Sequence, residues 1–178
     1  MPRLFVAIDT PANVAQGLLR TLPAQRGIRA TPATQLHLTL RFLGEQDDAT
    51  TARIGQALRS VEMEAMSLQV HGVGRFRGRQ GAILWAGLTE SPPLLALADT
   101  LGQVLEREGI APEHRRFWPH LTLARCQPGV PESVLREWIE SCRTLTSPKW
   151  QVDRFALIES FLHAEGAKHV VREIYVCH

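Results

Sequence analysis

The chain has 178 residues, a formal net charge of +2, and 44% hydrophobic against 21% charged residues. This length suits one domain or two closely joined lobes with a full hydrophobic core, and the composition excludes a disordered or fibrous chain. The slight positive charge permits a phosphate-bearing partner but lacks the dense Lys/Arg stripe of a long nucleic-acid footprint, and no apolar run reaches the roughly 18 residues of a membrane span.

In chain order, Leu4–Ile8 is a short apolar run that reads as a buried strand. Thr10 followed by Pro11 has the form of an N-cap with proline in the first turn, predicting a helix to about Leu22. Leu36–Leu43 alternates as a strand does. Asp47 and Asp48 then place acids at the positive end of a helix near 50–61. A strand over 68–76, a turn at Arg77-Gly78-Arg79-Gln80-Gly81 and a strand over 82–88 form a hairpin. Ser91-Pro92-Pro93 opens a third helix to about Glu108, a strand covers 118–125, and Pro131 opens a fourth helix to about Leu145. Strands over 151–162 and 170–177, around a turn at Gly166, close the chain. The order β-α-β-α-β-β, then α-β-α-β-β, is a weak internal repeat. The expected fold class is α+β: a single domain over 1–178, made of two lobes, each a mostly antiparallel sheet backed by helices.

Cys126, Cys142 and Cys177 are odd in number and lack metal-type spacing, which points to a reducing cytoplasm rather than a disulfide framework. The N-terminal MPRLFVAIDTP lacks the length and the small-residue cleavage site of a secretory leader.

The tetrapeptide His-Leu-Thr-Leu occurs twice, at 37–40 and at 120–123. Side chains alternate along a strand, so Leu36, Leu38, Leu40 and Phe42 share one face while His37, Thr39 and Arg41 share the other. In the second copy Leu121 and Leu123 oppose Trp118, His120 and Thr122. Each strand thus presents one imidazole and one hydroxyl. In-line displacement at phosphorus needs a base for the entering oxygen and an acid for the leaving one. A histidine pair with unperturbed pKa near 6.5 can supply both around neutral pH. The threonine hydroxyls can donate to non-bridging phosphate oxygens as charge builds on them. A lone His-x-Thr on a strand is ordinary surface patterning. Two identical copies at matched places in a repeat, drawn from seven histidines, are not. No third His, Asp or Glu stands at ligand spacing beside either motif, so no metal and no cofactor is expected. A non-catalytic nucleotide-binding module would leave the two titrating rings without a purpose; a metal hydrolase with the two histidines as ligands is the further alternative.

With these motifs, and with RLFVAID at Arg3–Asp9, LHLTLRFLGE at Leu36–Glu45, ILWAGL at Ile83–Leu88, PHLTLAR at Pro119–Arg125 and LIES at Leu157–Ser160, the chain resembles the RNA 2′,3′-cyclic phosphodiesterases. These are the 2′-5′ RNA ligase-like branch of the 2H phosphoesterase superfamily. The resemblance implies a bilobal 2H fold with a pseudo-two-fold axis and both motifs in a central cleft. It implies hydrolysis of RNA 2′,3′-cyclic phosphate ends to 2′-phosphomonoesters, with 2′-5′ ligation as the reverse reaction. By the same resemblance His37 is the proton donor, His120 the proton acceptor, and Thr39, Thr122 and Arg125 hold the phosphate. The twin motifs are themselves silent on which ring is the acid.

Phe42, Trp118 and Arg41 are further candidates for base or RNA contact, Trp118 as a stacking surface or as packing within its own lobe. Strict alternation puts Arg125 on the leucine face, so its phosphate role needs a bulge or a wrapped side chain. Arg41 has the better parity. Arg29 matches an Arg-Trp pair of the family, with Ala30 in place of the tryptophan, and His169 stands where relatives tend to carry tyrosine. Arg75, Arg77 and Arg79 form a basic loop suited to an RNA backbone or to solvent, and Glu159-Ser160 is placed to support a catalytic ring. His71, His114, His163 and His178 read as ordinary residues. The expected partner is RNA with a cyclic phosphate end, without membrane or metal, and a monomer suits a closed cleft.

Overall fold

The structure is a computed structural model that describes residues 1–177; His178 lies outside it. The elements in chain order are β1 (Arg3–Asp9), α1 (Ala12–Leu19), β2 (Ile28–Ala30), a single 3-10 turn (Ala33–Gln35), β3 (His37–Glu45), α2 (Asp48–Leu58), β4 (Met66–Leu68), β5 (Val70–Gly78), β6 (Gly81–Leu88), α3 (Pro92–Arg107), β7 (His120–Cys126), α4 (Glu132–Ser141), β8 (Trp150–Val152), β9 (Arg154–His163) and β10 (Gly166–Val176).

Two helix starts follow the capping chemistry of their sequences. Asp47 Oδ1 accepts from the Thr50 amide at 2.7 Å, and Ser91 Oγ accepts from the Leu94 amide at 3.4 Å with proline next in line. Thr10 does not cap α1. Pro11 takes the N-cap position, and the Thr10 hydroxyl is buried without a partner. α4 stops at Ser141, short of Leu145, and β7 begins at His120 because Pro119 has no amide to give a ladder. β2, β4 and β8 are three residues each, too short to leave a period in the sequence.

One antiparallel sheet carries eight of the strands, in the order β10-β9-β1-β3-β7-β6-β5, with β2 added on the β3 side of β7. This one sheet has two halves, which meet where β3 and β7 pair at Leu38 and Leu121. They are not the two halves of the sequence. After α2 the chain crosses to pair β5 with β6, and after α4 it crosses back to pair β9 with β1. The two crossing segments touch as the β4–β8 pair. Hairpin formation is local, whereas the half on which a hairpin docks is decided by long-range pairing.

The leucine face of this sheet joins the apolar faces of all four helices in one core. Val14, Ala15 and Leu18 come from α1, Ile54 and Leu58 from α2, Leu94, Leu97, Leu101 and Leu105 from α3, and Leu135 and Trp138 from α4. No helix among the described residues is long and apolar enough to cross a membrane.

Candidate active site

The Leu38–Leu121 pair lies at the middle of both motifs. Extending its antiparallel register by one residue sets position 37 opposite 122 and position 39 opposite 120. Each histidine therefore stands beside the other strand's threonine, on the face turned away from the helices.

Both rings are held in the same way. The Nδ1 of His37 lies 2.7 Å from the carbonyl oxygen of Gln35, and the Nδ1 of His120 lies 2.7 Å from that of Trp118. A carbonyl only accepts, so in the neutral rings Nδ1 carries the proton and Nε2 offers its lone pair to the cleft. The Nε2 of His37 is 2.9 Å from the Thr39 hydroxyl, which donates to it in that tautomer. Sequence reasoning missed these tethers because every residue owns a carbonyl.

A bulge interrupts each motif strand at the same place. Ala7 pairs with Thr39 but Val6 with Arg41, which skips Leu40; Trp85 pairs with Thr122 but Leu84 with Ala124, which skips Leu123. Beyond the bulge the faces exchange. Arg125 joins the His120 and Thr122 face and is exposed, as its expected phosphate contact requires. Phe42, expected on the leucine face, joins His37 and Thr39 and is 65% exposed. Arg41, expected beside the histidines, turns to the opposite face and is 8% exposed. Its Nη2 donates to the Ala111 carbonyl at 2.5 Å and its Nε lies 3.8 Å from Glu113, which leaves it with structural partners rather than a free guanidinium for RNA.

The surroundings of the twin rings differ. Phe76 meets His120 edge-on at 5.2 Å, with Trp85 at 6.3 Å and Trp118 beyond it, 6.2 Å from Trp85. Trp118 is 56% exposed, so one ring both packs on its own lobe and lines the cleft. A groove of ≈ 1550 Å³ runs from Thr39 and His120 past Trp118 to α3. His37 stacks on Phe5 at 4.8 Å and is met edge-on by His169 at 5.2 Å. Phe5, Phe76 and Trp85 were not singled out from sequence. Only the alternation of Phe5 with buried Leu4 and Val6, and of Trp85 with buried Leu84 and Ala86, hinted at this face.

Burial holds the His37 imidazole below the usual histidine value; the Gln35 carbonyl and Asp9 oppose this, and His120 adds to it. Burial, then the charge of His37, lowers His169 as well. Both rings stay neutral where the unfolded chain already binds protons. This stability is fully present above the unfolded value of about 6.5 and is lost as pH falls through it toward the folded values. Melting curves between about pH 8 and pH 5 should show Tm dropping below about pH 6.5. His169→Phe should drop less; identical slopes for the two proteins would refute the linkage.

Other candidates separate. Arg29 lies directly opposite Arg125 in the β2–β7 pair and so shares its face. Neither guanidinium has a carboxylate partner among the described residues. Like charges directly opposite one another are destabilising, which makes this edge receptive to an anion. Arg75 and Arg77 belong to β5, not to a loop, and both bind Glu132 of α4 on the helix side; only Arg79 remains in the turn. Glu159 is taken by Arg172 at 2.6 Å and is hydrogen-bonded to neither His37 nor His120 among the described residues. His71, His114 and His163 are exposed. No three His, Cys, Asp or Glu among the described residues converge as metal ligands would.

Comparison with known proteins shows the family and the fold. A protein of Archaeoglobus fulgidus named RNA 2′,3′-cyclic phosphodiesterase is 29% identical over 168 residues, covering 92% of this chain and 94% of its own. The Thermus thermophilus protein of the same name is 31% identical over 183 residues, covering 96% and 88%. Among solved structures, a protein of T. thermophilus superposes with a TM-score of 0.76 at 28% identity, over 98% of this chain and 97% of its own. Escherichia coli LigT complexed with 3′-AMP shares the fold, with a TM-score of 0.78 at 24% identity over 99% of both chains. The profile of the 2′-5′ RNA ligase superfamily matches residues 10–161, a span that holds both histidine strands and the seam between them: the chain belongs to the 2′-5′ RNA ligase superfamily.

Proposed function

We propose that this chain is an RNA 2′,3′-cyclic phosphodiesterase that opens cyclic phosphate ends to 2′-phosphomonoesters. The observation that carries the reading is the matched tethering of two imidazoles by their Nδ1 atoms, which leaves two Nε2 atoms for one phosphate. His120 Nε2 takes a proton from water. The water oxygen bonds to phosphorus as the P–O3′ bond breaks, and Nε2–H of protonated His37 passes its proton to O3′. Thr39, Thr122 and Arg125 hold the non-bridging oxygens, where charge accumulates. The lowered pKa of His37 makes its protonated ring a stronger acid toward the departing oxygen, at the cost of a smaller protonated fraction above that pKa. Phe42 and Trp118, both exposed at the same end of the paired motifs and lining one groove, are the surfaces for bases. The chain works as a single two-lobed domain, monomeric, in a reducing cytoplasm. With an RNA 5′-hydroxyl in place of water, the same displacement of O3′ from the cyclic phosphate joins two ends through a 2′-5′ phosphodiester.

The test is product identity. Purified protein with chelator present should open a dinucleotide 2′,3′-cyclic phosphate to the 2′-phosphate. The 3′-phosphate as sole product would overturn the regiochemistry, and loss of activity on chelation would bring back the metal hydrolase.

A further inference from the structure

The HLTL strands are twins, yet one residue breaks their equivalence. Gln35 accepts Nδ1–H of His37 through its carbonyl oxygen at 2.7 Å. Its side-chain Nε2 donates to the Ala167 carbonyl and its Oε1 accepts from the His169 amide, both at 3.0 Å. The side-chain amide therefore pairs with β10 as the backbone of another strand would. This matters because β1 pairs with β9 only as far as Ser160, so the hairpin tip over 161–168 projects past the sheet. Among the described residues, Gln35 makes the hydrogen bonds that tie this tip to the rest of the molecule. The tip also carries Gly166, at φ +119, where a Cβ would come within 3.0 Å of the Arg29 guanidinium. At its base the His169 ring meets both Phe5, at 5.0 Å, and His37, at 5.2 Å. His120 is tethered by the Trp118 carbonyl, but among the described residues the Trp118 side chain reaches no second strand through a hydrogen bond.

We propose that Gln35 is a positioning residue which, by holding the C-terminal hairpin and its His169 ring against His37, makes one of the two twin histidines chemically unlike the other. The proposal rests on the phosphodiesterase reading for its effect on turnover. His37 is the ring that burial lowers, and the titratable groups facing it are Asp9 on β1, His120 on β7 and His169 on β10. The hairpin supplies part of that burial. Releasing it lets water reach the ring, which relieves the penalty on the protonated form.

The experiment is a proton NMR titration of the His37 ring in the full chain and in Gln35→Leu, with steady-state kinetics alongside. Gln35→Leu keeps the backbone carbonyl but loses both side-chain hydrogen bonds. The His37 midpoint should rise toward about 6.5. The kcat should fall by about tenfold to a hundredfold, the scale of a reacting group misplaced by about 1 Å, with KM much less changed. The pH optimum of kcat/KM lies at the mean of the two histidine pKa values and should move up with the midpoint. An unmoved midpoint, or an unchanged kcat, overturns the proposal even if Tm drops, because Gln35 would then only staple the hairpin. Should Gln35→Leu fail to fold, His169→Ala removes the ring that the joint presents while sparing the backbone hydrogen bonds; it must raise the midpoint in the same direction, and a fixed midpoint again overturns the proposal. The titration needs no substrate. A wild-type chain that leaves cyclic phosphate intact would refute the phosphodiesterase reading and leave the titration result standing.

Discussion

Replacing His120 by alanine is expected to lower kcat for cyclic phosphate opening by about 10²–10⁴, and His37→Ala by a similar factor. In the proposed displacement each ring moves one proton, so losing either leaves the other with an incomplete reaction. The double variant should therefore be little worse than the singles, as for groups acting as one unit. Both rings are only partly buried on the cleft face, so neither change should unfold the chain; melting curves check this. The division of labour is separable by leaving group. An aryl ester of a nucleoside 2′-phosphate departs as a phenolate that needs no proton. On that substrate His37→Ala should recover most of its rate, while His120→Ala, still lacking a base for water, should not. Recovery by His120→Ala instead would exchange the two roles. Full activity of either alanine variant on the cyclic substrate would sink the two-histidine mechanism altogether.

Leu121→Ala is expected to cost about 2–5 kcal/mol, a large part of the roughly 5–15 kcal/mol typical of a domain. Leu121 is fully buried and Leu38, its partner across the seam, is 1% exposed. The cavity would open where the two halves of the sheet meet, with helix-backed strands on both sides that cannot collapse into it independently. Urea unfolding should show a lower midpoint at unchanged slope. Leu162→Ala serves as the contrast: its side chain is 72% exposed on the hairpin tip, and its loss should stay within about 0.5 kcal/mol. A seam variant as mild as the surface one would mean that the halves are not held by this contact. Because positions 37 and 120 flank the seam, kcat of Leu121→Ala should fall as well.

Much of this site was legible before the fold. The His-Leu-Thr-Leu alternation told which side chains anchor and which are presented, since the period of a strand is a local property. Asp47 and Ser91 capped helices where their hydrogen-bonding groups could reach unpaired amides. Arg125 was harder: parity set it on the wrong face, and a bulge was the condition for its use. The bulge is there, and its twin at Leu40 places Arg41 and Phe42 on the faces opposite to those of simple alternation. A bulge depends on the partner strand, here β1 or β6, and no partner is written beside the motif.

The sequence by itself determined the chemistry: two imidazoles, two hydroxyls and the leucines that bury the other face, in two copies. Only the tertiary structure decided how these groups meet. It set the twin strands side by side at Leu38 and Leu121, turned Arg41 into the core, and brought Gln35 to His169 across 134 residues. Alternation is carried by each residue's neighbours in the chain, whereas burial, register and ring contacts are set by residues far along it, which is why two identical tetrapeptides end in unlike surroundings.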